Sequence, residues 1–295
     1  MAQITPAMVK NLREKTGAGM MDCKKALAET NGDEKAAVDW LREKGIAKAA
    51  KKSGRIAAEG AVAAYVSDDA KTGVLIEINC ETDFAANNEN FRSLEDKIAK
   101  HIAKAAPKDI DALNASEVDG KTVEELITEA TATIGEKISI RRFVRYETKG
   151  KITSYIHMGG KIGVLVEMDG GDEQLGKDIA MQIAAASPVC VDVDSLPQEF
   201  IDHEREVQLA TAKEENANSN KPKPDAIIEK MVEGRMKKYY KEVCLLEQIF
   251  VKDNEKTVKD ILKGAKVVQF ARYQLGEGIE KKQEDFAAEV AAQIK

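Results

Sequence analysis

Glu77-Ile-Asn-Cys-Glu-Thr-Asp-Phe-Ala-Ala-Asn-Asn-Glu-Asn-Phe91 is the stretch on which the reading of this chain turns. It continues Gly73-Val-Leu-Ile-Glu-Ile78, whose aliphatic and β-branched residues and entry glycine fit a half-buried strand. Past Ile78 the strand pattern stops. Asp, Asn and a single Phe84 among small and polar residues read as a loop or short helical turn that holds an aromatic ring on a polar platform.

The same unit recurs later without that loop. Tyr65, Gly73, Val74, Leu75 and Glu77 match Tyr155, Gly163, Val164, Leu165 and Glu167, each 90 positions on. Leu94, Ile98, Ala99, Ile102, Ala103 and Pro107 match Leu175, Ile179, Ala180, Ile183, Ala184 and Pro188, now 81 positions on, so the first copy carries nine extra residues between strand and helix. Both copies predict a strand and a helix, so the extra residues are not required to build the unit, and insertions of this kind are where function sits on a scaffold.

A chain of 295 residues predicts two to three modules. With 43% hydrophobic and 33% charged residues it reads as an ordinary soluble protein. A net charge of −6 and a sequence pI near 5.4 argue against a dedicated nucleic-acid binder. The polar start Met1-Ala-Gln-Ile-Thr-Pro6 is unlike a signal peptide, and no apolar run reaches membrane-spanning length, so the expectation is a cytosolic protein. Cys23, Cys80, Cys190 and Cys244 are scattered, without Cys-x-x-Cys or a His at metal-ligand spacing, and predict buried or idle thiols rather than zinc or disulfides.

N-terminal to the repeats, Thr5 and Pro6 open a helix with Met8, Val9 and Leu12 on one face, ended at Thr16-Gly17. A second helix has Met20, Cys23 and Leu27 as its inward stripe, with Met21 off that stripe, and a third opens at Asp33 and buries Ala37, Trp40 and Leu41. Lys44 to Arg55 reads as a basic helical connector, a solvated face before a phosphate-binding patch, since no aromatics are interleaved. Thr122 to Gly135 predicts a further helix, and Arg142-Phe-Val-Arg-Tyr146 is taken to start the second copy. Phe200 to Lys213 and Ile227 to Leu246 predict an antiparallel helical hairpin with a polar tip and a poorly amphipathic outbound arm. Phe270, Arg272 and Tyr273 echo Phe143, Arg145 and Tyr146, and Asp285 to Ile294 predicts a closing helix with Phe286, Val290 and Ile294 on one face.

No catalytic constellation emerges. His157-Met-Gly-Gly-Lys-Ile-Gly163 has the glycines and lysine of a phosphate loop at the wrong spacing and no hydroxyl after Lys161. His101, His157 and His203 have no nucleophile pattern near them. Glu81 and Asp83 are close enough in sequence to consider an acid–base pair or a metal site, but their Ala, Asn and Phe neighbours favour a contact surface.

Leu12-Arg-Glu-Lys-Thr-Gly-Ala-Gly-Met-Met-Asp-Cys-Lys-Lys-Ala-Leu27 and Glu77-Ile-Asn-Cys-Glu-Thr-Asp-Phe84 resemble the two signature stretches of the bacterial elongation factor Ts family, and the resemblance runs the length of the chain. It implies an α+β protein with an N-terminal three-helix (UBA-like) module and basic connector (1–54). It also implies a duplicated core (55–140 and 141–199, returning at 247–276), an inserted antiparallel helical hairpin (200–246) and a C-terminal helical module (277–295). It implies a guanine nucleotide exchange factor that performs no bond chemistry, takes no cofactor, and binds elongation factor Tu rather than nucleic acid or membrane. Thr82, Asp83, Phe84 and Ala85 would then disturb the partner's magnesium site, while Leu12, Met20 and Met21 would touch its nucleotide-binding domain. Ala85 stands where the family usually has Val, which predicts a shorter apolar contact. The hairpin is a candidate for self-association. A ribosome- or RNA-associated module without exchange activity, and a hydrolase using Glu81 and Asp83, are the alternatives.

Overall fold

The computed structural model of the chain describes residues 4–280. It opens with three helices, α1 (Pro6–Thr16), α2 (Met20–Glu29) and α3 (Glu34–Lys52). Thr5 caps α1 by accepting from the Met8 N–H, Pro6 fills the first turn, and Gly17 ends the helix in the left-handed region at φ 65°. Leu12, Cys23, Ala26, Leu27 and Ala37 form the core, with Trp40 and Leu41 packed against it. Met20 does not share that core. The inward face of α2 is Cys23, Ala26 and Leu27, and Met20, in the first turn, is left 59% exposed. Nor is the basic segment a separate connector. Its Ala- and Lys-rich sequence continues α3 to Lys52, and Gly45 lets the helix lie against Ala132, where a Cβ would stand 3.1 Å from the alanine methyl.

The first core unit comprises β1 (Glu59–Val66), β2 (Thr72–Cys80), α4 (Asp83–Ala86), α5 (Glu89–Ala105), α6 (Ile110–Ala115), the short pair β3 (Glu117–Val118) and β4 (Lys121–Thr122), α7 (Val123–Ile134) and β5 (Ser139–Glu147). The second comprises β6 (Lys151–His157), β7 (Ile162–Asp169), α8 (Glu173–Ala186), the hairpin α9 (Gln198–Ala217) and α10 (Asp225–Val243), the pair β8 (Ile249–Phe250) and β9 (Asp253–Thr257), α11 (Val258–Ile261) and β10 (Lys266–Gln274). The expected α+β class holds. The three-stranded sheets run β1-β2-β5 and β6-β7-β10, antiparallel throughout.

That pairing moves a boundary. Arg142–Tyr146 does not begin the second copy. It lies in β5, which pairs with β2 in the register Tyr146↔Gly73 and Val144↔Leu75, so a division at residue 140 cuts through the first sheet. The echo of this strand in Phe270-Ala-Arg-Tyr273 marks the matching third strand of the second sheet. The correspondence extends to hydrogen bonds: Arg145 Nε donates to the Ala103 carbonyl at 3.1 Å and Arg272 Nε to the Ala184 carbonyl at 3.4 Å. Each arginine thereby satisfies a carbonyl of the last helical turn that has no partner within the helix.

The arrangement is helix, sheet, sheet, helix. Phe91, Leu94, Ile98 and Ile102 of the first unit pack on Val74, Ile76 and Ile78, and Ile179 and Ile183 pack on Val164, Val166 and Met168. Val62, Leu75, Ile152 and Leu165 fill the space between the sheets. Both central strands are therefore covered on both faces, which is why Val74-Leu-Ile76 and Val164-Leu-Val166 read as continuous apolar runs rather than alternating ones. The hairpin buries Ala212 against Ile228, Val232 and Met236, an i, i+4, i+8 stripe of α10, and its outbound arm continues past Lys213 to Ala217. The closing helix expected over Asp285–Ile294 lies outside the described residues.

Candidate functional site

The connection between β2 and α5 spans residues 81–88, against 170–172 between β7 and α8. Within it Thr82 caps α4: its hydroxyl accepts from the Ala85 N–H at 3.2 Å. A second cap follows, Asn88 accepting from the Asn90 N–H at 2.8 Å, so two helix starts lie within seven residues. The result is a short platform. Phe84 stands on it 85% exposed, with Asp83 exposed beside it.

Not all of the insertion is surface. Ala85, Ala86 and Phe91 are buried in the first core cluster, so Ala85 cannot offer a side-chain contact to a partner as expected. It sits under the platform, and a larger residue there would press on the core. Leu12 is likewise corrected: it is fully buried in the N-terminal core and supports the Gly17–Gly19 break from within. Met20 and Met21, 59% and 73% exposed, are apolar surface at the start of α2, and Val38 and Ile46 are exposed on α3.

The base of the platform is held by two carboxylates that sequence reading missed in this role. Glu136 Oε2 accepts from the backbone N–H groups of Glu81 at 3.1 Å and Thr82 at 2.9 Å, and its Oε1 accepts from the Thr82 hydroxyl at 2.7 Å. Glu81 answers by accepting from the Lys137 N–H at 2.6 Å and from Arg55 at 3.1 Å. Burial alone would raise the Glu81 carboxyl, but these donors outweigh it and hold it below its usual range. Glu81 is thus engaged in the fold and not available as an acid–base partner of Asp83. Cys80, whose thiol burial pushes up to about 12, donates to the Thr82 carbonyl at 3.1 Å. Only the spacing of Thr82 to Phe84 carried a signal in the sequence. Glu136 lies more than fifty residues from its partners and belongs to no motif.

Helix α7 joins this platform to the N-terminal module. Its capping box, Thr122 with Glu125, fixes one end and left-handed Gly135 the other, while Arg42 pairs with Glu125 and Lys52 donates to the Gly135 carbonyl. The cleft of about 830 Å³ between α3 and α7 is crossed at its rim by Lys48 and Asp22, 2.9 Å apart, and is a seam between modules. Among the described residues there is no cluster of three or more His, Cys, Asp or Glu that could hold a metal ion, and no helix long and apolar enough to cross a membrane.

The family model described as Elongation factor TS matches residues 81–277. Elongation factor Ts of Thioalkalivibrio sulfidiphilus is 53% identical over 296 residues, covering 99% of both chains. That of Halorhodospira halophila is 52% identical over 294 residues with the same coverage, and that of Halothermothrix orenii 51% over 295 residues, covering 97% of each. The described residues form a duplicated α+β core that presents an aromatic residue on a capped platform. The chain belongs to the elongation factor Ts family, and is a translation elongation factor.

Proposed function

We propose that this chain is a guanine nucleotide exchange factor that binds elongation factor Tu in the cytoplasm, expels GDP by disturbing the magnesium and nucleotide site, and lets GTP reload. The observation that carries this reading is Phe84, a large apolar ring left 85% exposed on a platform whose backbone is capped at both ends. A ring exposed on a rigid mount is suited to entering another protein. Asp83 flanks it, and Met20 and Met21 supply a separate docking surface. No bond is made or broken, so no cofactor is needed.

The energetics require more than the ring. Exchange rests on preferring the nucleotide-free partner, and the coupling is reciprocal. Weakening nucleotide a thousandfold takes about 4 kcal/mol, whereas burying one Phe supplies about 1.5–3 kcal/mol. Several contact regions must therefore act together, which suits a body built of modules. The reading of an RNA-associated module is weaker, because Lys48, Lys52 and Arg55 of the basic segment are engaged by Asp22, the Gly135 carbonyl and Glu81 of the same chain. The test is to mix the protein with elongation factor Tu carrying a fluorescent GDP. Accelerated release supports the proposal; binding without acceleration, lost as salt rises, favours the other.

A further inference from the structure

The ring of Phe84 is aimed by a residue that lies outside the insertion. Four-residue α4 is too short to hold its own direction, so its orientation comes from Ala85 and Ala86, which anchor it in the core, and from Thr82 at its start. The single Thr82 hydroxyl is used twice: it accepts from the Ala85 N–H at 3.2 Å and donates to Glu136 Oε1 at 2.7 Å. Donation to Glu136 fixes the rotor and so turns an oxygen lone pair toward α4. The other Glu136 oxygen takes the Glu81 and Thr82 N–H groups, so one carboxylate ties the last three polar hydrogens before the platform.

Glu136 is itself immobilised. It follows Gly135, whose φ of 86° turns the chain out of α7, and it is bracketed by the Lys137 N–H bond to Glu81 at 2.6 Å and the Ile138 N–H bond to the Thr131 hydroxyl at 3.3 Å. The same end of α7 receives Lys52 of the N-terminal module. We infer that Glu136 is a positioning residue for exchange: it sets the angle of Phe84 relative to the Met20 and Met21 surface through α7, without touching the partner. This rests on the exchange reading above.

The test uses the full chain and fluorescent GDP on elongation factor Tu, with release measured against factor concentration. Glu136→Ala should lower the release rate at saturating factor by about tenfold, less than the roughly hundredfold that a full ångström of misplacement can cost, and leave the half-saturating concentration unchanged. Glu136→Gln, which keeps an acceptor for the two N–H groups, should recover most of the rate. In the Phe84→Ala background Glu136→Ala should have no further effect, since there is no ring left to aim; a purely structural role would add its own loss. Thr82→Val, which removes only the hydroxyl, serves if Glu136→Ala folds poorly, and should slow release in the same way. A wild-type rate in the Glu136 and Thr82 variants, a raised half-saturating concentration at full rate, or an equal loss with and without Phe84 would overturn the inference. A normal rate for Phe84→Ala alone would reject the exchange wedge itself, and this assignment with it.

Discussion

Gly73 and Gly163 occupy reciprocal positions across the interface between the two sheets. A Cβ on Gly73 would come within 2.5 Å of Ile152 and 2.9 Å of Leu165, and one on Gly163 within 2.4 Å of Val62 and 2.9 Å of Leu75. Each glycine makes room for the leucine that follows the other by two residues. The duplication therefore serves packing: the two copies meet through the same position, each providing the hole for the other's knob.

Adding a methyl group at either glycine should overpack that interface. Gly73→Ala and Gly163→Ala are each expected to lose about 1–3 kcal/mol, the usual range for forced core insertions, measured as a lower urea midpoint. Gly234, inside α10 with open space around it, is the control. There the alanine should stabilise by about 0.5–1 kcal/mol through helix propensity.

Two buried glutamates should titrate with opposite effects on stability. Burial opposes ionisation of Glu77, but the Gly276 N–H at 2.9 Å and the guanidiniums of Arg141 and Arg142 at 3.0 and 2.7 Å hold its carboxyl below the usual range. Its contribution is present above the unfolded value, about 4.3, and is lost as pH falls through the lower folded value. Glu95 is raised to about 7 by burial, against the pull of Arg92, and its Oε1 has no partner. Its contribution is present below about pH 4.3 and lost as pH rises toward about 7. Chemical denaturation across pH should show Glu95→Gln gaining on the wild type between those values, and Glu77→Gln losing ground only as the solution leaves strong acid. A Glu95→Gln difference that stays flat would mean that Arg92, 3.2 Å away, keeps the native carboxylate charged.

Much of this was legible because repetition is visible in sequence. Tyr65 with Tyr155, Gly73 with Gly163, and the arginines at 145 and 272 identify matching strands without any structure. What the sequence could not assign was pairing between distant segments. Residues 142–146 stand directly before the second copy, yet hydrogen-bond to β2. Burial within the insertion was also hidden: Phe84 and Phe91 lie seven residues apart in the same polar setting, yet Phe84 is exposed on the platform while Phe91 packs into the core beside Ala85 and Ala86. Glu136 was invisible for the same reason, since its role exists only where three distant segments converge.

The hairpin offers a test of self-association. Phe200 and Val207 on its outbound arm and Ile227 on its return arm remain exposed, although the arms bury Ala212, Ile228, Val232 and Met236 between them. Trimming the tip between Lys213 and Asp225 should alter the mass measured by light scattering more than it alters exchange. An unchanged mass with lost exchange would assign the hairpin to partner binding instead.

The two phenylalanines of the insertion separate stability from function. Phe91 is fully buried under β2, so Phe91→Ala should cost about 3–5 kcal/mol and lower the thermal midpoint accordingly. Phe84 is outside every core cluster, and Phe84→Ala should leave that midpoint within the small range of surface substitutions, about ±0.5 kcal/mol. Its effect should fall on GDP release at saturating factor. If the ring acts by displacing magnesium, chelating the metal does the same work for wild type and variant alike. The advantage of wild type over Phe84→Ala, and over Asp83→Ala, should then be large with magnesium and shrink without it. An advantage that persists undiminished in chelator would mean that the ring acts on the nucleotide by another route, and a Phe84→Ala protein that unfolds would mean that the ring belongs to the core.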